Sequence, residues 1–139
     1  MFEWNPAYSV NIGSIDAQHR SLLAIGRELC TAVSTDQSRA LTYNIVDRLV
    51  QYTGTHFAHE ERLMRTHEYP DLAAHRAEHE AMTAKVIEFQ AEFKAGRAAL
   101  SMEMLQELEN SITGHIRSSD LQYSTFISIF SSKDEPELK

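Results

Sequence analysis

Four stretches of this chain repeat apolar residues at three- and four-residue spacing, and each sets histidine or an acidic residue into its apolar stripe. His19 falls in the first, His56 and Glu60 in the second, His75 and His79 in the third, and His115 with Asp120 in the fourth. Charged or polar groups on the inward face of a helix must be satisfied by partners of their own kind, so the four stretches constrain one another. Together they offer five imidazoles and two carboxylates, too many for one tetrahedral metal and about right for two octahedral ones.

The first helix is expected to begin near Ser14 or Asp16, either of which can cap it, and to run to about Thr35 with His19, Leu22, Gly26, Leu29 and Val33 on one stripe. A polar turn at Ser34 to Ser38 leads into the second, where Leu41, Ile45, Leu49, Tyr52, His56, Glu60 and Leu63 follow the 3.6 period. Tyr69-Pro70 ends it, because a residue before proline avoids the helical region. Asp71 can cap the third, whose stripe reads Leu72, His75, His79, Met82, Val86, Phe89 and Phe93 before Gly96 stops it. Ser101 can open the fourth, with Leu105, Leu108, Ile112, His115 and Ser119, then Phe126 and Phe130. Strand-like alternation is absent and the connections are short. The expected fold is therefore all-α, an antiparallel up-down-up-down four-helix bundle.

Residues 1–13 read as an irregular N-terminal arm pinned by Trp4, Tyr8 and Ile12, and residues 133–139 as a charged C-terminal tail. At 139 residues the chain has room for one domain, taken as 1–132, and no second. A net charge of −7 disfavours nucleic acid and anionic membrane surfaces as partners. The first six residues lack the basic and apolar regions of a secretory signal, and the longest apolar tract, Phe126 to Phe130, is far short of a membrane span. A cytoplasmic protein without membrane insertion is expected, and an acidic surface is compatible with a monomer. The single cysteine, Cys30, cannot form an intramolecular disulfide and reads as inert packing beside Leu29 and Val33.

No pair of these residues is specific by itself. His75 and His79 lie one turn apart, as two ligands of one metal require, yet such a pair arises by chance in roughly a third of chains with seven histidines in this length. His56 and Glu60 repeat the spacing inside an apolar stripe, where a carboxylate costs several kcal/mol unless a cation receives it. Asp120 is the awkward member: five residues after His115, it lies about 140° around an ideal helix. Either its carboxylate reaches sideways between helices, or a π-type turn restores the alignment. His59 and His67 fall outside the pattern and read as surface residues, although His59 adjoins the ligand face and could shuttle protons.

The order and spacing of Ile15-Asp16-x-Gln18-His19, His56-Phe57-x-x-Glu60-Glu61-x-Leu63-Met64, Tyr69-Pro70-x-x-x-x-His75-x-x-x-His79 and His115-Ile116-x-x-x-Asp120 resemble those of bacterial hemerythrins, from about Trp4 to Phe130. The resemblance implies the hemerythrin bundle and a non-heme centre of two iron ions joined by an oxo or hydroxo bridge. It implies that His75, His79 and His115 ligate one iron, His19 and His56 the other, with Glu60 and Asp120 bridging. The second iron is then five-coordinate, and dioxygen would bind there reversibly as hydroperoxide. Two ferrous ions, two carboxylates and one hydroxide sum to about +1, without the anionic push of carboxylate-rich di-iron enzymes. Leu22, Leu23, Phe57 and Ile112, near the His19, His56 and His115 turns, are the candidate wall of a dioxygen pocket. Hemerythrins commonly carry Trp-Leu before the fourth-helix histidine, at positions held here by Ser111 and Ile112; losing the indole is expected to open a water path and speed autoxidation.

A carrier or store rather than an enzyme is the reading these residues favour. A ferritin-like di-iron oxidase or peroxidase expects two Glu-x-x-His motifs, and the residues three before this chain's histidines are Asp16, Thr53, His56, Met64, Leu72, Arg76 and Ile112. A zinc bundle leaves too many ligands over. An oxygen, redox or iron sensor stays open, and the sequence names no delivery or signalling partner.

Overall fold

A computed structural model describes residues 1–96 and 100–130; the 133–139 tail and the side chain of Phe130 lie outside the described residues. Four helical rods form an up-down-up-down bundle: α1 (Gly13–Ser34), α2 (Arg39–Thr66), α3 (Leu72–Lys94), and a fourth rod made of α4 (Met102–His115), a five-residue π-type segment (Ile116–Asp120) and α5 (Leu121–Phe130). Among the described residues α2 packs between α1 and α3, and α4 lies against α1 more closely than against α3. None of these helices is long and apolar enough to cross a membrane.

The helix ends follow local chemistry. Ser38 and Ser101 cap α2 and α4, their hydroxyls accepting from the backbone N–H of Leu41 and Met104. Neither Ser14 nor Asp16 caps α1, contrary to expectation. The helix starts a residue earlier, and Asp16 instead accepts from the Ser9 hydroxyl at 2.6 Å and the Val10 N–H at 2.9 Å, tying the arm to the bundle. Asp71 stands at the start of α3 but makes no capping bond. α2 stops before Tyr69-Pro70 is reached. Glu68 takes a left-handed φ of 54°, letting the Tyr69 N–H close on the Met64 carbonyl at 2.9 Å. Gly96, with φ 79°, follows α3 as its spacing predicts.

The inward stripes form the core, that of α3 less fully because Met82, Val86 and Phe89 are only half-buried, and two residues break the pattern outright. Leu41, placed on the α2 stripe by periodicity, is 44% exposed in the helix's first turn. Phe2, which periodicity cannot reach, is fully buried. Its ring lies against Gly26 of α1, where an added Cβ would come within 2.4 Å of it. The left-handed backbone of Phe2 is held by two polar ties, its N–H to Glu109 at 2.5 Å and its carbonyl to Arg27 at 2.7 Å. The rest of the arm is pinned as expected. Ile12 is buried, Trp4 stands edge-on to Tyr8, and the Arg20 guanidinium covers the indole at 4.5 Å. A single-turn helix (Pro6–Tyr8) shapes the arm, and the Ser124 hydroxyl closes on the Val10 carbonyl.

Candidate metal centre

All seven residues set apart by their spacing meet at one depth of the bundle, each buried. α1 brings His19, α2 brings His56 and Glu60 one turn apart, and α3 brings His75 and His79 in the same way. The fourth rod brings His115 at the end of α4 and Asp120 at the end of the π-type segment. Pairing across five residues puts Asp120 nearly in line with His115, so the turn, and not a sideways reach, resolves its awkward spacing.

The donors divide into two groups that share both carboxylates. Glu60 Oε1 lies 2.9 Å from His75 Nε2 and 3.1 Å from His79 Nε2, and Asp120 Oδ1 lies 3.0 Å from His75 Nε2 and 3.1 Å from His115 Nε2. The other oxygens face the opposite way. Glu60 Oε2 is 3.3 Å from His56 Nε2 and 3.6 Å from His19 Nε2, and Asp120 Oδ2 is 3.1 Å from His19 Nε2. Several of these approaches are at hydrogen-bond distance without being hydrogen bonds. His19 Nε2, Glu60 Oε2 and both Asp120 oxygens are buried and accept or donate none. His79 and His115 aim their Nε2 atoms at each other across 3.2 Å, where at most one proton fits between two nitrogens. Orphaned buried lone pairs converging from opposite sides are the donor set that cations satisfy and that a hydrogen-bonded core leaves in debt. The residues therefore fit a metal-binding centre with three imidazoles on one side and two on the other.

Residues 10–127 match the family model described as the hemerythrin HHE cation binding domain. The chain belongs to the hemerythrin family. It is 36% identical over 121 residues to a bacteriohemerythrin of Stenotrophomonas maltophilia, covering 87% of this chain and 78% of that one. A bacteriohemerythrin of Methylococcus capsulatus is 28% identical over 129 residues, 92% of this chain and 98% of the relative. A solved wild-type hemerythrin superposes with a TM-score of 0.84 at 28% identity, covering 88% of this chain and 95% of that one. Family membership implies non-heme iron as the metal.

Within this hemerythrin the outer nitrogens of the imidazoles are held unequally. On the three-histidine side, carboxylates accept from two of them: Glu61 from His79 Nδ1 at 2.8 Å and Glu78 from His115 Nδ1 at 2.9 Å. On the two-histidine side a neutral amide does so, Gln18 accepting from His56 Nδ1 at 2.7 Å, and His19 Nδ1 has no partner. An Nδ1–H committed to an acceptor leaves the Nε2 lone pair facing inward, and a carboxylate acceptor makes the imidazole the more basic ligand. Glu78 is tied in turn by the Ser119 hydroxyl of the π-type segment at 2.6 Å. Phe57 stacks flat on His79, ring centres 3.8 Å apart, and closes that side to water.

Titration in the metal-free site follows the same geometry. Burial disfavours a charged His19 or His75, but the adjoining Asp120 and Glu60 carboxylates outweigh it and raise both to about 9. Glu60 is held well below the usual carboxylate range: burial opposes this, and the His19, His56, His75 and His79 imidazoles overcome it. Asp120 is lowered too, against both burial and Glu60, by His115, His19 and His75.

A cavity of about 240 Å³ borders the site where His19, His56, His115 and Asp120 face it. Leu22, Phe57 and Ile112, expected as the wall of a dioxygen pocket, line this cavity; Leu23 is fully buried but does not line it. His67 also departs from expectation. It is buried at 8% exposure beside Tyr123, with the Tyr123 hydroxyl 3.0 Å from its Nδ1. His59 is half-buried, its Nε2 paired with the Ser14 hydroxyl at 3.2 Å. In the sequence Gln18 and Glu61 stand in the motifs without a role, Ser119 only continues the stripe of the fourth helix, and Glu78 carries no signal. Glu78 precedes His79 but serves His115 on another helix, and no spacing rule along one chain segment finds a partner across a bundle.

Proposed function

We propose that this hemerythrin binds dioxygen reversibly at a di-iron centre, with His75, His79 and His115 holding one ion, His19 and His56 the other, and Glu60 and Asp120 lying between them. The observation that carries the reading is the three-to-two division of imidazoles around two shared carboxylates. Both imidazoles of the poorer side line the cavity, against one of the three on the richer side, so the side with a donor to spare for a small gas is the one more fully open to it. Ferrous iron held by these residues would supply the reversible electron donation that dioxygen binding needs.

The chain's own residues serve that exchange in distinct ways. Glu61, Glu78 and Gln18 fix the imidazole orientations from outside. Leu22, Phe57 and Ile112 present an apolar stretch of wall that offers water and protons no hydrogen-bonding partner. Among the described residues two carboxylates face the centre, which limits anionic charge and favours release of the gas over its reduction. The domain is proposed to comprise residues 1–132, acting as carrier or store and not as an oxidase.

Metal analysis combined with visible spectra under alternating oxygen and vacuum tests this. About two irons per chain and a charge-transfer band that appears and disappears through repeated cycles are expected. One iron per chain, or steady consumption of oxygen with an added reductant and no recoverable band, refutes it.

A further inference from the structure

The cavity is far larger than a diatomic gas needs. A water molecule's share of liquid volume is about 30 Å³, and the cavity holds about 240 Å³. It continues away from the histidines between the helices, past Leu29, Leu49, Phe89 and Leu105. An engineered apolar cavity of about 150 Å³ stays dry and takes up benzene. Water is a poor filling here as well, since it needs two to four polar partners and the deep walls are hydrocarbon.

Two further features suit the space to a guest. The α3 side is loosely closed: Met82, Val86 and Phe89 sit on the inward stripe yet each is only half-buried, and α4 keeps its distance from α3. Met82 and Met104 line it, and unbranched thioether chains reshape themselves around whatever they touch. At the outer end stand Ser111, Lys85 and Glu107, all exposed. The two charges there are of opposite sign, so the mouth favours neither an anion nor a cation.

We propose that this cavity is a binding site for a small neutral apolar molecule, of roughly six to ten non-hydrogen atoms on the benzene scale, admitted between α3 and α4 past Ser111. The guest lies on hydrocarbon from Leu29, Leu49, Phe89 and Leu105 and ends against the face of the site that His19, His56 and His115 present. The binding stands on the cavity alone. Its consequence, that an occupied cavity slows access of dioxygen, rests on the function proposed above.

The test uses benzene, 1-hexanol and hexanoate, with methyl NMR and thermal unfolding as readouts that need no oxygen chemistry. Benzene and 1-hexanol are expected to shift the Leu49, Leu105 and Met104 methyl signals saturably and to raise the unfolding midpoint progressively with their concentration. Hexanoate is expected to bind no more tightly than 1-hexanol. Leu49→Phe and Leu105→Phe, two separate ways of filling the space, should each weaken benzene binding at least tenfold and leave the visible spectrum of the iron-loaded protein unchanged. Absence of saturation, benzene affinity equal to the parent's in both filled variants that fold, or a marked preference for hexanoate overturns the proposal. Benzene binding in a protein that fails to cycle with oxygen would sustain this site and defeat the functional reading, so the two failures are distinguishable.

Discussion

Replacing Glu61 by glutamine keeps an acceptor for His79 Nδ1–H and removes its charge, which isolates the electrostatic part of the outer shell. Hydrogen bonds to charged groups are about twice as strong as neutral ones, so the change forfeits about 1 kcal/mol where solvent is excluded. Glu61 is 18% exposed and Glu78 49% exposed, so water screens the second carboxylate more. Glu61→Gln is therefore expected to weaken ferrous iron binding about five- to tenfold, and Glu78→Gln about two- to threefold. Gln18→Glu runs the other way, placing a carboxylate behind His56 and strengthening binding on the two-histidine side by a similar factor. Anaerobic competition against a ferrous chelator measures all three, with unfolding of the metal-free variants as the control for general damage. If Glu78→Gln loses as much as Glu61→Gln, or if Gln18→Glu weakens binding, the outer carboxylates are not tuning the imidazoles in the way argued.

Gly26→Ala should destabilise the fold by about 1–3 kcal/mol, because the new methyl collides with the Phe2 ring, and Phe2→Ala by about 3–5 kcal/mol. Chemical denaturation of the double variant should show a loss smaller than the sum, and strict additivity would contradict the contact. In the metal-free protein, His19 and His75 are raised to about 9, so their contribution to stability is complete below their unfolded value and is lost as pH climbs through about 9. Glu60 and Asp120 are lowered, so theirs is present above the ordinary carboxylate range and is lost as pH falls through their depressed values. Melting temperatures of the chelator-treated protein should thus decline above neutrality, whereas iron, which needs deprotonated imidazole, should flatten the alkaline side; a metal-free curve level to pH 9 argues against the site geometry. Ser111→Trp should narrow the cavity mouth and slow spontaneous oxidation of the oxygenated protein in stopped-flow decay, and an unchanged rate means Ser111 is no water path.

The sequence disclosed whatever repeats with a helix's own period. His19, His56, Glu60, His75, His79 and His115 were legible because each falls in a stripe of apolar residues at helical spacing. Asp120 was legible only as a choice between two geometries, since a π-type turn has no composition of its own. Features set by tertiary position were not visible. Leu41 obeys the period of α2 but stands in its first turn, beyond the reach of neighbouring helices. Phe2 lies in no periodic segment and is buried because Gly26 leaves room for a ring. His67 reads as polar surface until α5 brings Tyr123 over it. Leu23 shares a helix with the cavity-lining Leu22, one residue and a quarter-turn away, and faces a different neighbour.

Glu60 and Asp120 each turn one oxygen toward either histidine group. At the di-iron centre proposed above, a first ion settling on either side would freeze the rotamers of both acids, and so erect half of the second berth before its occupant arrives. Half-filled molecules should accordingly be scarce at equilibrium, with the population passing from empty to doubly filled along a sigmoid and not in two plateaus.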